Sequence, residues 1–258
     1  MNERIMFEDC PLCASSRISD HMTADCSKNP LYKKSLNPEI VWRKCLECSH
    51  IFTEGYYTDE LCRIIFDGTH QNQSVGEQVE KNRIVSARMI ERVLPFVSEG
   101  VWLDVGFGNG SLLFTAQEYG FKAVGLDLRQ RNVDVMNSLG FEAHCVNLTD
   151  FAPKDKCAVI SMADVLEHMP YPRKALEAAT ALLKAGGVLL VSMPNSESIV
   201  WQLLDEHEAN PYWAEIEHYH NFSRTTLYSL LNEYGLIPKR YGVSERYRVC
   251  MEVIAVKT

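Results

Sequence analysis

The chain has 258 residues, of which 46% are hydrophobic and 23% charged, and its formal net charge is −8. That length and apolar fraction fit one large domain, or one domain with a small appendage, and exclude a disordered chain. The acidic balance disfavours nonspecific attachment to nucleic-acid phosphates or anionic lipid, although a local basic patch is compatible with it.

The N-terminus, MNERIMFEDCPLC, lacks a basic stretch followed by an apolar run and does not read as a secretory signal. The longest apolar runs, such as 187–193, are core-strand length and too short to span a membrane. A cytoplasmic enzyme is the expectation. In that compartment the nine cysteines are thiols or metal ligands rather than disulfides.

Residues 1–55 are rich in turn formers and show no sustained helical or strand period. They carry two knuckles, Cys10-Pro11-Leu12-Cys13 and Cys45-Leu46-Glu47-Cys48. Two such short loops turn four thiolates toward one ion, a closed set that suits structural zinc, with buried free thiols as the alternative. A small zinc-ribbon-like module is expected, with His50 as a spare or supporting ligand. Residues 56–98 read as a helical linker or lid, most clearly over 77–97, where Val79, Ile84, Ala87, Ile90, Val93 and Leu94 follow a helical period.

From Val101 the pattern becomes short apolar runs separated by amphipathic helices. Strands are predicted at 101–105, 122–127, 143–147, 157–163 and 187–193, with helices near 110–119, 130–138 and 172–184. Runs buried on both faces and joined by helices predict a doubly wound, mostly parallel Rossmann-like α/β sheet over 99–258. A helix at 223–234, capped by Ser223, leads to strands at 237–243 and 247–256, which a short connection makes an antiparallel hairpin.

The first strand runs into Asp104-Val105-Gly106-Phe107-Gly108-Asn109-Gly110 and then a helix, so the backbone can turn sharply and approach a ligand. The G-x-G-x-G spacing departs from the dinucleotide fingerprint, and Asp104 would repel a pyrophosphate while pairing with a cationic amino group. Asp127 closes the second strand where an acid suits ribose hydroxyls, with Leu128 next to it. Asn147 and Leu148 follow the third strand and are placed for an adenine edge and ring. In this order these residues predict a nucleoside site, for which a dehydrogenase is the weakest reading.

At this point residues 101–258 resemble the class I methyltransferase superfamily, in particular the branch of ubiquinone-biosynthesis-type methylases and zinc-headed sugar and natural-product methyltransferases. The motifs are LDVGFGNG, GLDL, ISMADVLEHMPYPRKALEAATALLKAGGVLLVSMPN and HYHNFSRTTLYSLLNEYGL. The cysteine head resembles the zinc-binding domain found before some of these enzymes. The resemblance implies S-adenosyl-L-methionine as cofactor. Asp104, Gly106, Phe107, Gly108 and Gly110 would hold its methionine half, Asp127 and Leu128 the ribose side, and Asn147 and Leu148 the adenine. Met162 and Ala163 would line the methyl donor. Where the family often has Asp, this chain has Asn147, which keeps an acceptor oxygen without the charge.

Methyl transfer asks the protein to align a nucleophile and remove its proton. Candidates are His168 after the fourth strand, and His218 and His220 before the late helix, in a loop expected to cover the acceptor pocket. For each, a purely structural role is the competing reading. Asp164, Glu167 and His168, at i, i+3 and i+4, could share one helical face. Similar sets in some relatives bind a divalent cation during catechol or RNA-end methylation. The acceptor is expected to be a small molecule methylated on O, N or C: a sugar, a phosphate-linked or quinone-like compound, or a secondary metabolite. A nucleic-acid or protein methyltransferase that docks through its zinc head is an alternative, and so is a non-catalytic cofactor-binding regulator.

Overall fold

The computed structural model describes residues 4–67, 73–247 and 249–258. Residues 68–72 of the expected helical stretch lie outside them.

The N-terminal strands are β1 (Arg4–Met6), β2 (Ile18–Asp25), β3 (Glu39–Cys45), β4 (Ile51–Thr53) and β5 (Gly55–Tyr57). β2, β3 and β4 form an antiparallel sheet, and β1 pairs with β5. This sheet is the largest departure from the sequence reading, which found no strand period here. β2 is an edge strand with most of its side chains in solvent, so it has no apolar alternation to read. Only β3 alternates, burying Ile40 and Trp42.

Helix α1 (Asp59–Asp67) and helix α2 (Val79–Val93) follow. α2 lays Met89, Ile90 and Val93 against Trp102 and Phe121. The alternating part then runs β6 (Val101–Val105), α3 (Ser111–Glu118), β7 (Lys122–Leu126), α4 (Gln130–Ser138), β8 (Glu142–His144), β9 (Cys157–Ala163), α5 (Pro172–Leu182) and β10 (Leu183–Pro194). After it come α6 (Ile199–Glu206), β11 (His220–Asn221), α7 (Arg224–Glu233), β12 (Leu236–Val243) and β13 (Cys250–Lys257).

Seven strands form one sheet in the order β12-β13-β10-β9-β6-β7-β8. All pairings from β10 to β8 are parallel, and β13 enters antiparallel between β10 and β12. The predicted doubly wound sheet with its terminal hairpin is therefore present. Side chains alternate between faces as a pleated strand requires. Leu189, Val191 and Met193 of β10 enter one core, while Val188 and Leu190 enter the other.

α6, a 3-10 turn at Pro211–Ala214 and β11 were not foreseen. Ser198 caps α6 by accepting from the Trp201 amide at 3.1 Å, a signal present in the sequence. β11 pairs with β4, so a strand from the C-terminal part of the chain completes the N-terminal sheet.

Candidate active site at the carboxyl edge of the sheet

The ends of β6, β7 and β9 bring the predicted cofactor residues to one edge. Gly106, Gly108 and Gly110 have φ of 69°, 57° and 80°, a left-handed conformation that side chains rarely adopt. A β-carbon on Gly106 would stand 2.8 Å from Val165, so the turn has no room for a side chain there either.

Asp104 is 4% exposed and accepts a 2.6 Å hydrogen bond from the Ser161 hydroxyl, which in turn accepts from the Trp102 indole at 2.9 Å. Burial pushes the Asp104 carboxyl up to about 7, against the Ser161 hydrogen bond, so a cationic partner would favour its charged form. Asp127 accepts from the Gly108 amide at 3.1 Å and from its own neighbour Arg129 three times: the amide, Nε and Nη2, at 2.9, 2.9 and 2.8 Å. The acid is therefore aimed at the glycine turn, and a ribose diol there would compete with the guanidinium.

Other positions differ from expectation. Leu148 is 2% exposed and packed in the core, so its side chain does not present a face for adenine. Asn147 is exposed beside it, and Leu128 is 57% exposed next to Asp127, which leaves Leu128 as the apolar surface on that side. Met162 is also wholly in the core, so only its backbone faces the edge, whereas Ala163 is 7% exposed. Phe107 packs beneath the turn with Leu113. These residues fit the adenosyl and amino-acid halves of the implied cofactor: an acid for an ammonium group, glycine amides, an acid for a diol, and one exposed leucine.

Beyond the end of β9 the chain turns through Asp164, whose φ is 58°, into a short 3-10 turn, Leu166–His168. Asp164 accepts from the Ser192 hydroxyl at 3.2 Å and pairs with Arg246 at 3.4 Å. Glu167 is 1% exposed, yet neither carboxylate oxygen has a hydrogen-bond partner. Burial and the Asp164 charge raise its carboxyl well above the ordinary range.

His168 Nδ1 faces the Glu217 carbonyl at 2.9 Å and must carry the proton, which leaves Nε2 as the lone-pair nitrogen. Its ring lies edge-on to His218, centroids 4.7 Å apart, and the buried His218 Nδ1 is unpartnered. Burial lowers His168 to about 4 and His218 well below its usual value, so both are neutral at pH 7. Ligand atoms of Glu167, His168 and His218 lie within 4.8 Å of one another. Asp164, expected in this set, is occupied by Ser192 and Arg246 instead, and His218 takes its place. The sequence reading missed His218 as part of the set because the two segments meet only through the fold.

His220 sits on β11, not in a loop, and is 0% exposed. Its Nε2 donates to the Met169 carbonyl at 3.0 Å, so its Nδ1 is the acceptor of a hydrogen bond from His50 Nε2, also at 3.0 Å. With both nitrogens engaged, His220 has no lone pair to offer as a base, which corrects the expectation that it serves as one.

The four Sγ atoms of Cys10, Cys13, Cys45 and Cys48 lie within 4.8 Å of one another, with Cys10–Cys48 at 3.7 Å and Cys13–Cys45 at 3.5 Å. Zinc–sulfur bonds of about 2.3 Å give a tetrahedral edge of roughly 3.8 Å, so the thiols fit a closed zinc site. The Cys10–Cys48 contact pulls the Cys48 thiol down and pushes the Cys10 thiol up, as one proton shared between two close sulfurs requires. Among the described residues no helix is long and apolar enough to cross a membrane.

The chain is 28% identical over 109 residues to the ubiquinone biosynthesis O-methyltransferase of Idiomarina loihiensis, covering 39% of this chain and 45% of that one. The Actinobacillus pleuropneumoniae enzyme of the same name is 30% identical over 105 residues, covering 36% and 45%. The match thus spans about half the length of these relatives or less.

The fold is shared with the 1,6-didemethyltoxoflavin-N1-methyltransferase of Burkholderia thailandensis, solved with S-adenosylhomocysteine, at a TM-score of 0.59 and 15% identity over 83% of this chain and 97% of that one. It is also shared with the magnesium protoporphyrin IX methyltransferase of Synechocystis PCC 6803, at a TM-score of 0.55 and 17% identity over 70% and 85%. A family model described as a methyltransferase domain matches residues 79–237, more than half of the chain, including the ends of β6, β7 and β9. The chain belongs to this methyltransferase-domain family.

Proposed function

We propose that this chain transfers a methyl group from S-adenosyl-L-methionine to a small-molecule acceptor seated between the glycine turn and the Glu167–His168–His218 cluster. The carrying observation is that Asp104, the glycine turn and Asp127 share one sheet edge with a second, adjoining set of buried polar atoms that lack partners. The cofactor supplies an activated sulfonium methyl. Asp104 would hold its ammonium group, and Asp127 its ribose after Arg129 shifts. Neutral His168 and His218 would accept hydrogen bonds from the acceptor and orient it. The acceptor class proposed is the O, N or C nucleophile of a sugar, a phosphate-linked or quinone-like compound, or a secondary metabolite. Ubiquinone biosynthesis and 1,6-didemethyltoxoflavin stand in the names of the similar proteins and support a small acceptor.

The residues also fit a divalent cation held by Glu167, His168 and His218. A carboxylate with two bare oxygens and two neutral imidazoles form a donor set that a cation would complete, and it would polarise an acceptor oxygen. Zinc at the four cysteines is proposed as structural. Calorimetry with S-adenosylhomocysteine against NAD is the first test, and binding of NAD alone would overturn the proposal. Transfer of labelled methyl to a panel of phenols, sugars and amines, with and without magnesium, then reads the acceptor class and the metal requirement.

A further inference from the structure

We propose that His50, two residues past the second cysteine knuckle, is a positioning residue for the acceptor site, acting through His220 on His168 and His218. This inference rests on the acceptor site proposed above.

The N-terminal sheet and the segment 199–222 share one buried cluster, with Ile40, Trp42 and Tyr57 on one side and Trp201, Trp213, Ile216 and Tyr219 on the other. The Trp42 indole donates to the Trp213 carbonyl at 2.8 Å, and the Thr53 amide to the Tyr219 carbonyl at 2.9 Å. Two parts of the chain far apart in sequence therefore make one cap over the sheet edge.

The polar joint inside this cap is the His50–His220 pair. Both rings are 0% exposed, and Phe222 stands 4.9 Å from the His50 ring. Buried imidazoles among aromatic rings are costly unless hydrogen-bonded, so this contact sets the position of the His220 ring within the joint that Trp42, Thr53 and the β4–β11 pairing also make. The knuckle holds His50 from behind, because the Cys45 amide donates to the His50 carbonyl at 2.9 Å.

On the far side, His220 holds the Met169 carbonyl, the residue directly after His168. The Tyr219 amide donates to the Glu167 carbonyl at 2.9 Å, and His168 donates to the Glu217 carbonyl. The Glu167–His168 turn and the His218 strand are thus pinned together by a ladder whose last rung is His220, and His50 sets that rung. The same contacts assign the tautomers: a proton on His50 Nε2, none on His220 Nδ1, and a proton on His220 Nε2.

The test uses the full-length, zinc-loaded protein with ring-15N histidine, bound to S-adenosylhomocysteine. His50→Phe should keep one zinc per chain and cofactor affinity within about twofold, while exchange of the 217–222 amides rises by about tenfold or more and the His218 and His168 ring signals move. His50→Gln, whose amide can still donate to His220 Nδ1, should restore most of both signals. Unchanged exchange and ring signals in folded His50→Phe overturn the proposal, and so does His50→Gln behaving like His50→Phe. If His50→Phe does not fold, the unaltered protein decides: a His220 ring protonated on Nδ1 overturns the proposal, and the opposite tautomer supports it. Failure of the unaltered protein to bind S-adenosylhomocysteine overturns the methyl-transfer reading and leaves the exchange and ring measurements interpretable.

Discussion

Asp127 and Glu167 are both buried carboxylates just beyond strand ends, 5% and 1% exposed, yet the first accepts four hydrogen bonds and the second accepts none. At the glycine turn the acid is wrapped by a glycine amide and a neighbouring arginine from one short stretch of sequence. The neighbouring cluster is assembled from the β9 turn and the segment before β11, and both Glu167 oxygens and His218 Nδ1 are buried there without hydrogen-bond partners. Burying a carboxyl group without a hydrogen-bond partner costs stability, so the Glu167 turn is a weak point of the fold.

That contrast can be broken at four points. The largest effect is expected from Cys45→Ser. Structural zinc sites contribute on the order of 10 kcal/mol to folding, so the variant should lose its metal and unfold the N-terminal sheet, as metal analysis and thermal denaturation would show. Its acceptor side should loosen through β4–β11 before the cofactor edge does. A variant that keeps metal and stability removes zinc from the account. Asp127→Ala should weaken S-adenosylhomocysteine by about 2–3 kcal/mol in calorimetry, the usual worth of hydrogen bonds to a charged group. Unchanged affinity would mean that Arg129, rather than a ribose, is the acid's permanent partner.

Glu167→Gln should raise stability by about 1–2 kcal/mol at pH 8 without added metal. The sign follows from linkage: the folded Glu167 carboxyl titrates above its unfolded value, so its favourable contribution is present at low pH and is lost as pH rises through the raised value. The gap between variant and parent should therefore widen with pH, and a divalent cation should close it by stabilising the parent alone. A melting temperature that ignores both pH and cation would place Glu167 outside any ligand site. The smallest effect is a pH dependence of cofactor affinity. Since Asp104 titrates at about 7, binding of the ammonium-bearing cofactor should tighten severalfold, by about 1 kcal/mol, as pH rises from 6 to 8, and Asp104→Asn should flatten the curve.

The cofactor edge was legible because its determinants are contiguous. Asp104 lies in β6, the glycine turn and Asp127 follow β6 and β7, whose apolar runs are largely buried, and β9 was bounded at Cys157–Ala163 as read. Leu148 was misplaced because a residue after a strand reads the same whether its side chain turns outward or into the core. The acceptor edge was only half legible. His168 and His218 were named one by one, but periodicity along a single helix grouped Asp164 with Glu167 and His168, and the actual turn is 3-10 with Asp164 in a left-handed conformation. His50 was read against the cysteines beside it, whereas its partner lies 170 positions away. Long-range pairing of this kind leaves no local pattern.

The pairing of β4 with β11 also bears on how the chain can be divided. A fragment trimmed to the matched segment 79–237 would strip the partner strand from His220–Asn221 and bare Trp201, Trp213 and Tyr219. An open strand edge beside an uncovered aromatic face is a template for self-association. Such a fragment should precipitate, so the boundary suggested by family likeness is a poor place to cut.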